Sequence, residues 1–153
     1  MKVALIIFAL IFSSSSFAVT DVKMREMLTS LYGQSEIYEA FYFKLREALI
    51  SGDKKTVAEL NDYPIRVNFD SGSVYYKSAN EFIKNYSDIV TNEMLSRVSK
   101  HKFKELFANS YGMHIGLGDI WFTGYCIGKV EGKECDKVKV NVTTYNVNHI
   151  GEK

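Results

Sequence analysis

The sequence predicts an α+β domain in which helices pack on a curved, mostly antiparallel sheet. Three observations carry that prediction. Residues 22–60 place apolar side chains every three or four positions, the spacing of amphipathic helices. At Tyr63-Pro64 the period changes to strict alternation. The last third of the chain is then rich in β-branched and aromatic residues, which suit strands.

The elements follow in order. Val22, Met24, Met27, Leu28 and Leu31 fit a short helix ended or kinked by Gly33. Ile37, Phe41, Leu45, Ala48 and Leu49 mark a stronger helix, with Ser35 as its cap and Gly52 as its stop. Asp53 caps a third, short helix through Val57 and Leu60. Ile65, Val67 and Phe69 alternate with polar residues, Asp70-Ser71-Gly72-Ser73 turns the chain, and Val74 to Lys77 returns. Ser78-Ala79-Asn80-Glu81 reads as a capping box, opening a helix with Phe82, Ile83, Tyr86, Ile89 and Val90 on one side. A further helix runs from Asn92 to about Lys102. Residues 107–115, 119–127 and 137–147 then form a three-stranded meander.

The N-terminus carries the three parts of a secretory leader: Lys2, an apolar run from Val3 to Phe12, and Ser16-Phe17-Ala18 as a cleavage site. The run is shorter than the ~20 residues that span a bilayer. Residues 1–18 are therefore expected to be removed, leaving 19–153 as a single domain in the periplasm or outside the cell. The 19 Lys and Arg less Lys2 leave 18, against 18 Asp and Glu. That balance argues against nucleic acid and against an anionic membrane as partners. No later segment is apolar enough for stable membrane insertion.

Cys126 and Cys135 are the only two cysteines. In an oxidising compartment an isolated pair is most simply a disulfide. There is no Cys-x-x-Cys spacing and His101, His114 and His149 are scattered, so no metal site is expected, and no cofactor motif is present.

Register follows from two assumptions. If Gly116-Leu117-Gly118 is a three-residue loop, Ile115 pairs with Asp119, Met113 with Trp121 and Tyr111 with Thr123. If Cys126 and Cys135 lie nearly opposite, Val138 faces Thr123 and Val140 faces Trp121. Both place Tyr111, Met113, Ile115, Trp121, Thr123, Tyr125, Val138, Val140 and Val142 on the core face. His114, Ile120, Phe122 and the disulfide then fall on the other. A two-residue turn at Leu117-Gly118 instead pairs Ile115 with Ile120 and Met113 with Phe122. It leaves the valines on the wrong side unless a bulge intervenes, so the first register, which needs none, is preferred.

This order of helices, the hairpin beginning Tyr63-Pro64-Ile65-Arg66-Val67, the Ser78 helix and the segment 112–122 (GMHIGLGDIWF) resembles the nuclear-transport-factor-2-like superfamily, in particular bacterial exported members. The resemblance implies a cone, with helices packed into the concave side of the sheet. The family includes enzymes, ligand binders and protein-binding modules, so it does not select an activity. No catalytic set of the family matches residue by residue, and none is assigned.

Candidate sites follow from the preferred register. Tyr111, Met113, Trp121, Thr123 and Tyr125 would line a pocket in the cone, or simply pack its core. His114, Ile120 and Phe122 would form an outward apolar patch for a protein partner or a homodimer. Asp119 is a candidate general base, against the ordinary expectation of a solvated turn residue. Arg46 is a candidate for an anionic ligand, against an ordinary surface role. Asn141-Val142-Thr143 matches a glycosylation sequon in a poor, mid-strand position. The expectation is an exported binding module of inhibitor, immunity-type or adaptor kind, not an enzyme. The alternative is a binder of, or enzyme on, a small apolar ligand held in the cone.

Overall fold

The computed structural model describes residues 20–128, 135 and 137–147. The leader and its cleavage site lie outside them. Thr20 accepts a hydrogen bond from the Lys23 amide and opens α1 (Asp21–Tyr32), which ends at Gly33 with φ 80°. Helix α2 (Glu36–Ser51) ends at Gly52, φ 72°, a left-handed cap that glycine takes without a Cβ clash. Asp53 caps α3 (Lys54–Glu59). Strands β1 (Asn61–Phe69) and β2 (Gly72–Tyr76) form the expected hairpin.

Ser78 caps α4 (Ala79–Lys84) through the Glu81 amide, and the Glu81 carboxylate accepts from Lys77 N at 2.7 Å. The single helix expected here is two, because the chain breaks at Asn85 before α5 (Tyr86–Ile89). Helix α6 (Asn92–Lys100) and a 3-10 turn (Phe103–Glu105) lead into the sheet. The segment expected as one strand is a hairpin of β3 (Phe107–Asn109) and β4 (Gly112–Ile115). Strands β5 (Ile120–Ile127) and β6 (Lys137–Asn146) complete the sheet.

The strand order is β2-β1-β6-β5-β4-β3, antiparallel throughout except that β1 runs parallel to β6. The fold class is thus α+β, with helices on one face of a mostly antiparallel, curved sheet.

The preferred register is overturned. Met113 pairs with Phe122, His114 with Trp121 and Ile115 with Ile120, the pairing of the alternative turn. Asp119 stays in the loop, where its Oδ2 accepts from Leu117 N at 3.3 Å and its carboxylate closes on Gly116, leaving no room for a Cβ there. Cys126 faces Val138 and not Cys135, which lies ahead of β6, so the parity of β6 flips. That shift carries Val138, Val140 and Val142 to the Phe122 side. A bulge beyond them pairs Trp121 with Thr144, leaving Thr143 as the extra residue.

The two faces therefore exchange residues. Met113, Ile115, Ile120, Phe122, Val142 and Tyr145 all lie under the helices at 0% exposure. Trp121, Thr123 and Tyr125 point to the uncovered face.

Candidate functional site

Helix α2 fills the helix-covered face of the sheet. Phe41 packs on Phe122 with ring centroids 5.2 Å apart, and Phe82 lies 5.3 Å from Tyr145. The Tyr145 hydroxyl, fully buried, donates to Asn61 Oδ1 at 2.9 Å. At Gly124 the helix comes so close that a Cβ would lie 2.9 Å from Tyr38 Cε1 and 2.8 Å from Val138 Cγ1. The aromatic side chains of α2 occupy this surface directly.

Of the pocket residues read from the sequence, only Met113 belongs to this interior. Tyr111 stands in the β3–β4 turn at 86% exposure. Trp121, Thr123 and Tyr125 lie on the opposite face, where the Tyr125 hydroxyl reaches Asn141 Oδ1 at 3.0 Å. Of the patch residues, Ile120 and Phe122 are core. His114 faces outward as expected, stacked on Phe107 at 4.6 Å and tilted against Trp121 at 4.7 Å. Its Nδ1 is buried without a partner among the described residues, and burial pushes the imidazole pKa down.

Asp119 is not a free base. It is 4% exposed and accepts from Arg97 Nε at 2.8 Å and Arg97 Nη2 at 2.6 Å, a bidentate pair that ties the β4–β5 loop to α6. The Asn141 amide donates to Leu60 O and Asn61 O, both at 3.1 Å, so the sequon residue is consumed inside the fold. The disulfide Cys126–Cys135 forms, with Cα atoms 5.6 Å apart. No helix among the described residues is long and apolar enough to cross a membrane, and no group of three His, Cys, Asp or Glu among them could hold a metal ion.

Among the described residues, open clefts lie on the other side of α2. Leu45 points into the core, and at about 100° per residue Phe43 and Ile50 lie roughly 140–160° away from it. Both are large, apolar and nearly half exposed, at 49% and 47%. Three clefts run along this side and share residues. The largest of the three, about 550 Å³, is lined by Tyr42, Phe43, Arg46 and residues 101–104, together with Thr20 and Asp21. The next, about 390 Å³, joins Phe43 and Arg46 to Glu47 and Ile50. The third, about 280 Å³, continues from Ile50 to Leu95, Ser96 and Ser99 of α6. Together they form one shallow groove between α2 and α6.

The groove is built on fixed supports. Tyr42, 0% exposed, donates to the backbone carbonyl of His101 at 2.9 Å and lies 3.1 Å from His101 Nδ1. Burial pushes the Tyr42 phenol up to about 12 and the His101 imidazole down, so both are neutral near pH 7. The pair clamps the end of α6 to α2. Arg46 donates from Nε to Val98 O at 3.2 Å and from Nη2 to Ser99 O at 2.5 Å, closing the last carbonyls of α6. Its guanidinium thus meets neutral oxygens, and among the described residues no carboxylate pairs with it. Such a surface can hold a ligand by apolar contact and by charge.

Sequence reading of α2 follows the core row and, of the second row, names only Arg46. The signal was present: Phe43, Arg46 and Ile50 recur at helical spacing on the side away from Leu45. Compared with family models, curated proteins and solved structures, the chain matches none of them.

Proposed function

We propose that this chain is an exported binding module that grips another protein through the α2–α6 groove, in an adaptor or inhibitor role. One observation carries the reading: Phe43 and Ile50 are exposed on the solvent side of a helix whose core side is already complete. Large apolar residues lined along a groove, with polar residues at the rim, are the usual anatomy of a protein contact. Export is supported by the leader-like N-terminus and by the Cys126–Cys135 bridge, since disulfides persist in oxidising compartments. The order of elements, like that of the nuclear-transport-factor-2-like superfamily, is compatible with such a role and does not select it.

The test is site-specific photo-crosslinking in cells expressing the full chain. A photoreactive residue at Phe43 or at Ile50 is expected to give one discrete adduct with another protein. The same residue at Tyr75, exposed on the far edge of the sheet, should give none. Equal adducts at all three positions, or none at any, would overturn the assignment of the groove. Sequencing the N-terminus of the recovered protein tests export. An intact Met1 in the cytosol would refute it.

A further inference from the structure

The sheet is bounded by β2 on one side and β3 on the other. Strand β3 has three residues, too few to offer much of a ladder, whereas β2 runs for five. Gly72, Ser73, Val74 and Tyr75 are all exposed. Strand β2 holds no charge, proline or bulge, the devices that usually keep an edge from pairing. Its hydrogen-bonding pattern follows from its neighbour. The Asn68 carbonyl accepts from Val147 N at 2.8 Å, so the Asn68 backbone faces β6 and away from β2. Ser73, paired with Asn68, then turns its amide and carbonyl outward, and Tyr75 does the same two residues on. Among the described residues nothing pairs with those groups. Open backbone donors and acceptors in a row call for an extended chain.

We propose that this chain is β2 of a second copy, paired antiparallel about a two-fold axis through Val74. Register selects it. With Ser73 opposite Tyr75 of the second copy, and the reverse, every outward group of both strands is paired within the strands. A shift of two residues sets part of the ladder against Ser71 or Lys77, outside the strand, and a shift of one sets outward groups against inward ones. Val74, 42% exposed, meets Val74 of the second copy and continues the row begun by the buried Val67. The ends carry matching charges, since Lys77 comes beside Asp70 of the second copy. Neither residue has an ion pair among the described residues. The Glu81 carboxylate of the same copy accepts the Lys77 amide, so these charges fix the register more than they add affinity. A ladder this short buries less than a stable interface needs, so the dimer is weak, with a Kd of roughly 10–300 µM.

The test is sedimentation velocity of the disulfide-bonded protein, purified from cells expressing the full chain. Dimer is expected to appear between about 5 and about 500 µM. Val74→Lys sets like charges against each other on the axis and should weaken association roughly tenfold or more, as should Val74→Glu. An equimolar mixture of the two should recover dimer to within about threefold of wild type, a rescue that only a residue facing its own counterpart gives. Tyr75→Pro deletes an outward amide and leaves the β1–β2 ladder intact, so it should weaken the dimer too, and it decides the matter if the Val74 variants fail to fold. A protein still monomeric at about 500 µM, a dimer indifferent to these changes, or no recovery in the mixture would each overturn the proposal. So would loss of the dimer on Phe43→Ser, Ile50→Thr, which would move the contact to the groove. A photo-crosslink at Tyr75 with the mass of two chains belongs to this edge, whereas groove adducts carry a foreign mass, so the two readings fail separately.

Discussion

Replacing Gly124 by alanine tests how closely α2 lies on the sheet. A Cβ at that position would stand 2.8 Å from Val138 Cγ1 and 2.9 Å from Tyr38 Cε1, with the Tyr38 hydroxyl closer still. Tyr38 is 2% exposed and packs against Tyr32 at 4.8 Å, so it cannot swing aside freely. Overpacking of this kind costs about 1–3 kcal/mol. Part of that is offset because alanine loses less backbone entropy than glycine, up to about 1 kcal/mol. A net loss of about 1–2 kcal/mol should lower Tm by roughly 3–10 °C in a domain of this size. The assay is thermal and urea unfolding of four proteins: wild type, Gly124→Ala, Tyr38→Phe and the double variant. Tyr38→Phe removes the atom nearest the new methyl, so the double variant should recover at least about 0.5 kcal/mol relative to additivity. A Gly124→Ala protein as stable as wild type, or strict additivity, would refute the close packing of α2 on β5. It would also remove the reason for looking to the outer side of α2.

Other perturbations have equally definite outcomes. Asp119→Ala should cost about 2–3 kcal/mol in chemical denaturation, below the full cost of breaking a fully buried pair because the Arg97 side chain is 29% exposed and regains water. Reduction of Cys126–Cys135, or Cys126→Ser with Cys135→Ser, should lower stability by about 2–3 kcal/mol on the loop-entropy model; the bridged residues are nine apart in sequence. His101 and His114 both have pKa values pushed down by burial, so the unfolded chain takes up protons before the folded one does. Stability is therefore greatest above the unfolded histidine value of about 6.5 and declines as pH falls below it. Urea midpoints measured from pH 7.5 to pH 5 should show that decline, flattened in His114→Asn; a midpoint that rises on acidification would contradict it.

The sequence made the element types legible wherever local chemistry decides them. Gly33 and Gly52 stop helices because they supply left-handed caps, and Asp53 and Ser78 start them because their side chains accept amide hydrogen bonds. Sheet register was not legible, because it rests on choices of a single residue. Whether Asp119 joins the strand or turns inward to Arg97 decides the pairing of β4 with β5. The disulfide was read correctly as a bond and wrongly as a direct opposition, since Cys126 pairs with Val138. With side chains alternating every residue, those two shifts moved Trp121, Thr123 and Tyr125 out of the interior and Ile120 and Phe122 into it. The parallel pairing of β1 with β6 joins residues about eighty positions apart, for which no local pattern exists.

That pairing has a consequence for how the molecule comes into being. Strand β6, later in the chain than the other described strands, occupies the middle of the sheet, with the β1–β2 hairpin on one flank and the β3–β5 meander on the other. Until residues 137–146 leave the ribosome, those two halves have no shared backbone ladder, and Tyr145 is missing from beneath Phe82. Closure over such a sequence distance is slow compared with helix formation. A chain emerging from the ribosome therefore holds two separate half-sheets, which become one only when β6 takes its place between them.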